Sequence, residues 1–299
     1  MISVLIPVYN FDIRAFAGEL HTQLLKTNVA FEIRCYDDFS QAGFRDVNKE
    51  VAVLDHVVYK ELSHNHGRSA IRNLLARDAV YEKLLFLDCD SFPERPDFIS
   101  SYLKHLDTKG LMCGGRSYDP EPPLEAKKYF RWLYGSQREV LSAEQRQGKP
   151  YQGFQTNNFI ISKDIFLEIK LNEELKGYGH EDTLLGMELR QRNIPILHID
   201  NPLRHLGLEA YDEFLEKTAE GIHNLAFLIR KGIDPHSIRL ARTYKLLNRW
   251  GLCRLFQYCF LRRENAILKN LQSDRPSLRK FDLFKLHLLI REMSPHSAE

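Results

Sequence analysis

Through the first two hundred residues, short runs of β-branched and aliphatic side chains alternate with helical patterns, an order that a largely parallel sheet covered by helices accommodates and few other architectures do. A buried strand is expected at 2–8, followed by a helix over 11–26 in which Phe16, Leu20 and Leu24 recur at four-residue spacing. Further strands are expected at 31–36, 56–62 and 83–87, with a helix over 68–79 before the last of them. After residue 90 the alternation loosens. Runs at 111–117 and 155–162 read as strands around a helix near 124–141, which Pro120, Pro122 and Pro123 precede as a loop. A short strand is expected at 194–199. From about Glu209 the pattern is helical to the end, with breaks near 232–235 and 273–276. The expected class is α/β, a mostly parallel sheet flanked by helices with a C-terminal helical extension; the expected division is a domain over 1–208 and an extension over 209–299.

Composition agrees with a globular chain: 299 residues that are 43% hydrophobic and 27% charged exclude a disordered, collagenous or coiled-coil protein. No apolar run approaches the roughly 18 residues of a spanning helix, and the start lacks the basic segment and cleavage site of a signal peptide, so the chain is expected to begin with folded structure. The five cysteines contain no C-x-x-C pair and are odd in number, which fits reduced thiols in the cytoplasm. The net charge of +2 hides an asymmetry, because from Arg239 onward 13 Lys and Arg face only 5 Asp and Glu.

Carboxylates collect where the strands end. Asp37 and Asp38 follow the second strand, and Asp88-Cys89-Asp90 follows Leu84-Leu85-Phe86-Leu87. The carboxyl ends of strands are where open α/β sheets bind ligands. Mg²⁺ and Mn²⁺ prefer oxygen ligands and often bind one or two carboxylates together with nucleotide phosphates. A bare D-x-D reads more readily as a solvated loop, so the context has to carry the assignment.

That context is an ordered set: Ile2-Ser3-Val4-Leu5-Ile6-Pro7-Val8-Tyr9-Asn10, Asp37-Asp38-Phe39-Ser40, Gly67-Arg68-Ser69-Ala70-Ile71-Arg72-Asn73, Asp88-Cys89-Asp90 and Glu181-Asp182. Together they resemble family 2 of the inverting glycosyltransferases, over roughly residues 1–210. The resemblance implies a GT-A fold in which Pro7, Tyr9 and Asn10 lie along the nucleotide, while Asp38, with Asp37 beside it, accepts hydrogen bonds from the base. The family's Asp-Asp-Gly-Ser appears here with Phe39 in place of the glycine. Gly67 and Arg68 open a helix near the nucleotide, where free N–H groups and a cation favour phosphate. Arg72 either touches the ligand or braces the strand-end carboxylates. The resemblance gives Asp182 the part of general base with Glu181 as its pair, and the helix dipole favours an ionised carboxylate at that position. It gives Asp90 a Mn²⁺ or Mg²⁺ ion, Asp88 the ribose or a metal-bound water, and His205 a further place on the metal, against a neutral histidine braced in a loop.

Residues outside those motifs are read from chemistry alone. Asn157, Asn158, Trp132 and Tyr134 suit an acceptor sugar, although core packing explains the aromatics as well. His64 and His66 read as loop residues and His198 as a partly buried strand residue.

The reading is a metal-dependent inverting transfer of a sugar from a nucleotide-diphosphate sugar, a UDP-sugar above others, to a hydroxyl of a saccharide or lipid-linked acceptor, in cell-surface polysaccharide or glycolipid assembly. A sugar nucleotidyltransferase would need a glycine-rich basic signature near the N-terminus, and a silent sugar-binding scaffold would have no need of Asp90 and Asp182. No nucleic-acid motif accompanies the basic tail. In the helix expected around 280–291, Phe281, Phe284 and Leu288 fall on one side and Leu283, Leu286 and Ile290 on the other. Either one side packs on the protein and the other meets a second copy or an anionic membrane surface on the cytoplasmic side, with Arg254, Arg262 and Arg263 contributing, or both are buried in a helical cap.

Overall fold

A computed structural model describes residues 1–233 and 238–294 of the chain; Asp234 and Pro235, in one of the expected helix breaks, lie outside them. The described strands are β1 (Ile2–Val8), β2 (Phe31–Asp37), β3 (Val57–Glu61), β4 (Lys83–Leu87), β5 (Ser91–Pro93), β6 (Leu111–Cys113), β7 (Arg116–Ser117), β8 (Asn158–Ser162), β9 (Ile196–His198) and β10 (Leu203–His205). The helices are α1 (Arg14–Leu25), α2 (Ala42–Asn48), α3 (Arg68–Asp78), α4 (Phe98–Leu103), α5 (Ala126–Arg138), α6 (Ala143–Gln147), α7 (Lys163–Ile169), α8 (Glu181–Gln191), α9 (Tyr211–Arg230), α10 (Arg239–Arg249), α11 (Cys253–Leu261), α12 (Glu264–Leu271) and α13 (Leu278–Glu292).

Seven strands form one sheet in the order β3-β2-β1-β4-β8-β6-β9. Its pairings are parallel except those of β8, which runs antiparallel to β4 and β6. The alternation of side chains across a strand divides the core into two layers. Ile2, Val4, Ile6 and Val8 of β1, with Leu85 and Leu87 of β4, pack on one face with Phe16, Leu20 and Leu24 of α1. Leu5, Leu84 and Phe86 point the other way, onto Ile71 and Leu75 of α3 and Phe166 of α7. Burial on both faces explains why these strands read as continuous apolar runs.

A second, three-stranded sheet has the order β5-β10-β7. The single strand expected at 111–117 is therefore two, β6 in the large sheet and β7 in the small one, with Gly114 and Gly115 between them. His205, expected just beyond the last strand, is itself the end of β10.

By packing, the chain divides into two compact units. The first comprises residues 1–119, 138–174 and 181–207, and holds both sheets; the second comprises 120–137, 175–180 and the described part of 208–299. In the second unit α13 packs against α9, α10, α11 and α12. Phe281 lies in an aromatic cluster with Phe130, Tyr211 and Phe214, while Leu286, Leu288 and Ile290 lie with Ile222, Leu225 and Tyr244. Both apolar sides of α13 are thus covered, with Phe284 partly buried and Leu283, at 43%, exposed. The alternative in which one side of this helix stays open is corrected accordingly.

Candidate active site

The carboxyl ends of β1, β2 and β4 lie side by side because the three strands are neighbours in parallel register. The end of β1 is latched to the turn after β2: the Asn10 amide donates to Ser40 Oγ at 2.8 Å, and Asn10 Oδ1 accepts from the Gln41 amide at 2.8 Å. Pro7 is buried within β1 and Tyr9 stands 54% exposed. Asp37 is fully buried and caps the turn, accepting from the Ser40 amide at 2.7 Å and from the Tyr59 hydroxyl at 3.0 Å. Phe39 adopts φ +66°, the left-handed conformation that glycine takes without penalty, so the turn keeps its shape with a strained residue in place.

Asp38 accepts from the His66 amide at 2.7 Å through one oxygen and from the Gly67 amide at 2.9 Å through the other. This carboxylate therefore holds the amides of His66 and of the cap residue Gly67, just before the first turn of α3. Gly67, at φ +83°, makes the bend that allows it. His64 and His66 stack with ring centroids 4.1 Å apart in the same loop.

The two carboxylates after β4 differ in surroundings. Asp88 is buried between two guanidinium groups, Arg72 on one oxygen and Arg116 at 3.5 Å on the other. Arg72 thus takes the bracing position of the two open to it. Arg116 also donates to Glu139, which accepts from the Tyr118 hydroxyl. Asp90 is held through its backbone, its carbonyl accepting from the Leu206 amide at 2.7 Å and the Gly207 amide at 3.3 Å. Antiparallel pairing of β10 with β5 sets His205 opposite Ser91, next to Asp90, and His205 Nδ1 lies 3.5 Å from Asp90 Oδ1. Tyr118 meets the His205 ring edge-on at 5.4 Å.

Asp90 Oδ1 and both ring nitrogens of His205 are buried without a hydrogen-bond partner among the described residues. Burial alone would raise the Asp90 carboxyl, but His205, Arg116 and Arg68 outweigh it and hold it well below the usual range. An ionised carboxylate and an imidazole with unsatisfied ligating atoms form a donor set that fits a divalent cation, and two protein ligands leave positions for phosphate oxygens and water. Among the described residues no group of three or more His, Cys, Asp or Glu converges in this way.

Arg68 connects this pair to the start of α8. Its Nε donates to Glu181 Oε1 at 2.8 Å, and its charge acts on Asp90, Glu181 and Asp182 alike. Against its burial, Glu181 is lowered by the Arg68 and Arg72 charges. Asp182 goes the other way: burial first, then the Glu181 charge, raise it to about 6, although the Thr183 amide donates to it at 2.6 Å. The helix dipole expectation, a carboxylate favoured in its ionised form, is reversed here because desolvation and a like charge are the larger effects. At neutral pH the group is still mostly ionised, with a pKa suited to taking a proton.

Three residues matter here that the sequence did not single out. Arg116 braces Asp88, Tyr118 supports His205, and Gly207 makes room, since a Cβ on it would lie 2.5 Å from Asp90 Oδ2. Only the glycine two residues after His205 left a trace in the sequence. Of the expected acceptor residues, Asn157 adjoins Asp88, whose amide donates to its carbonyl at 2.9 Å. Asn158 is fully buried, its amide donating to the Gly115 and Asn201 carbonyls and its oxygen accepting from Tyr102. Asn157 is 1% exposed, and Tyr134 packs on Phe214 and Phe281 within the second unit. His198 is buried, facing Arg146 and the Pro150 carbonyl.

The model of the family described as Glycosyl transferase family 2 matches residues 3–169. A chondroitin synthase of Escherichia coli is 30% identical over 227 residues, which is 63% of this chain and 32% of that one, so the chain spans about a third of that relative's length. A mannosyltransferase of Pyrobaculum calidifontis, solved with GDP-Man and Mn²⁺, superposes with a TM-score of 0.60 at 13% identity over 98% of this chain and 86% of its own. The glucosyl-3-phosphoglycerate synthase of Mycobacterium tuberculosis, solved with Mg²⁺ and UDP, gives 0.54 at 16% identity over 78% of this chain and 80% of its own. At these identities the two structures speak for the fold, which is that of the GT-A enzymes.

Proposed function

The chain belongs to Glycosyl transferase family 2, and from that premise we propose that it transfers a hexose from a nucleotide-diphosphate sugar to an acceptor hydroxyl with inversion at the anomeric carbon. The observation that carries this reading is the pairing, through Arg68, of two opposite chemistries: the Asp90–His205 pair with its unsatisfied ligating atoms, and the Asp182 carboxyl at about 6. The first suits a departing diphosphate and the second an attacking hydroxyl.

In this mechanism Asp182 takes the acceptor proton as the acceptor oxygen forms its bond to the anomeric carbon, and the bond from that carbon to the diphosphate oxygen breaks on the opposite face with its electron pair. One displacement gives inversion. Asp90 and His205 would hold Mn²⁺ or Mg²⁺, which when bound neutralises the negative charge that develops on the diphosphate. Arg72 and Arg116 hold the Asp88 carboxylate in place for the ribose or a metal-bound water. Glu181 holds Arg68 and, by its charge, keeps Asp182 basic. Pro7, Tyr9 and Asn10 line the nucleotide, and the Asp37–Asp38 turn receives the base. Asp38 can still do so, because a carboxylate oxygen that accepts from a backbone amide has capacity for a further hydrogen bond.

We take the donor to be a UDP-sugar, the reading supported by the UDP in the synthase structure and by the fit of a carboxylate to the uracil imide N–H. The acceptor is a saccharide or a lipid-linked glycan in cell-surface polysaccharide or glycolipid assembly, and a chondroitin synthase among the relatives supports the former. We assign residues 1–208 to catalysis and 209–299 to a basic helical extension that works on the cytoplasmic side, at an anionic membrane surface or as a dimer contact. No helix among the described residues is long and apolar enough to cross a membrane. The test is a panel of UDP-, GDP- and other nucleotide sugars with Mn²⁺ or Mg²⁺, following nucleotide release with and without saccharide acceptors. Acceptor-dependent, metal-dependent release from a UDP-sugar is expected. Release of pyrophosphate from a nucleoside triphosphate, or no turnover of any donor, contradicts the reading.

A further inference from the structure

Residues 239–263 carry seven Lys and Arg and no Asp or Glu. They form α10 and α11, and in both helices the charges share the solvent face with large apolar side chains. α10 buries Ala241 and Tyr244 and exposes Arg242, Leu246 and Arg249, with Trp250 directly after it. The spacing of four, three and one places these on one side of the helix. α11 buries Phe260 and exposes Arg254, Leu255, Tyr258 and Arg262, again along one side. Trp250 is 71% exposed and Leu255 59%, and the Arg262 guanidinium lies 4.3 Å from the Tyr258 ring centroid.

Scattered exposed leucines need no explanation, but a run of them interleaved with arginines and ended by an exposed tryptophan does. Three kinds of occupant can be compared on charge. A nucleic acid would satisfy the arginines and leave Leu246, Leu252, Leu255 and Leu261 in water. A second copy of the same face would set Arg242, Arg249, Arg254 and Arg262 against the same four arginines, which a two-fold contact cannot avoid. An anionic bilayer matches both components, since arginines reach lipid phosphates while leucine, tyrosine and tryptophan side chains enter the boundary between headgroups and acyl chains.

We propose that the α10–α11 face docks on an anionic lipid surface. The attachment then lies on these two helices and not on α13, whose apolar sides are both covered. The proposal rests on the reading of a lipid-linked or membrane-proximal acceptor for its purpose, and on the exposed face alone for its physics.

The test is co-sedimentation of the full chain with phosphatidylcholine vesicles, with and without phosphatidylglycerol, across a salt series. Binding is expected only with the anionic lipid and should fall as salt rises. The pair Arg254→Gln and Arg262→Gln should weaken it by roughly tenfold or more, at about one favourable contact per basic residue. Trp250→Ala with Leu255→Ala should weaken it at high salt as well as low. Circular dichroism and nucleotide affinity verify that the variants are folded. Four results overturn the proposal: no binding at low salt, equal binding to neutral vesicles, indifference to the arginine substitutions, or a concentration-dependent dimer that Trp250→Ala dissociates. Sedimentation needs no turnover, so a protein that transfers sugar but ignores vesicles rejects only this surface. One that binds vesicles but turns over no donor rejects only the transferase reading.

Discussion

Asp182 sets the pH at which the proposed reaction can run. A base must be ionised to accept a proton, so kcat should rise with pH through about 6 and level off above it. For folding the sign is opposite: a carboxyl raised from 3.8 to about 6 favours the folded state in its protonated form, a contribution present below pH 3.8 and lost as the pH rises through about 6. Asp182→Asn should leave nucleotide affinity intact and lower kcat by roughly a hundredfold or more, the scale of a positioned general base. Glu181→Gln removes a neighbouring negative charge, so the acidic limb of the kcat profile should move to lower pH; a limb that stays or climbs would show that Glu181 does not raise Asp182. Phe39 offers a test on stability alone. Phe39→Gly relieves a left-handed residue and should raise unfolding free energy in urea by about 0.5–1 kcal/mol, the strain released less the entropy of a more flexible chain. Residue types were legible in the sequence at this scale, because Asp90, Asp182 and Arg68 stand in recognisable order. Their ionisation was not, since it depends on burial and on which charges the fold brings within reach.

At the scale of elements, the large sheet was readable and the small one was not. β1, β2 and β4 are long enough, and buried on both faces, to show as apolar runs, and their expected limits lie within a residue of those found. β5, β7 and β10 are two or three residues each, too short for an alternation of period two to show, and they exist because they pair with one another. That sheet brings His205 to Asp90. The loop after it must pass close by, which makes Gly207 a sensitive position. Gly207→Ala would set a Cβ against Asp90 Oδ2, and metal-dependent nucleotide affinity is expected to fall roughly tenfold or more while affinity without metal stays the same. Equal loss with and without metal would show that the substitution damages the fold and not the ion site.

For the whole molecule, the boundary at residue 208 separates proposed functions, whereas the packing units interleave along the chain. Phe130 of α5 packs edge-on to Phe281 of α13, 5.0 Å between centroids, and close to Tyr211 and Phe214 of α9. Residues 1–208 expressed alone would leave Phe130 and Tyr134 without these partners, so the truncated chain is expected to aggregate or to bind a hydrophobic dye, as a reporter of exposed apolar surface, far more than the full chain. Sequence periodicity could show that the tail is helical and basic but not which earlier segment it covers, because that depends on contacts about 150 residues apart along the chain. The central claim, that Asp90 with His205 holds the cation through which the nucleotide diphosphate binds, is tested most directly by calorimetric titration of UDP into the full chain and its Asp90→Ala variant, with and without Mn²⁺. The account predicts that Mn²⁺ strengthens UDP binding to the unaltered chain and that Asp90→Ala removes this gain; a gain from Mn²⁺ that survives the substitution would contradict it.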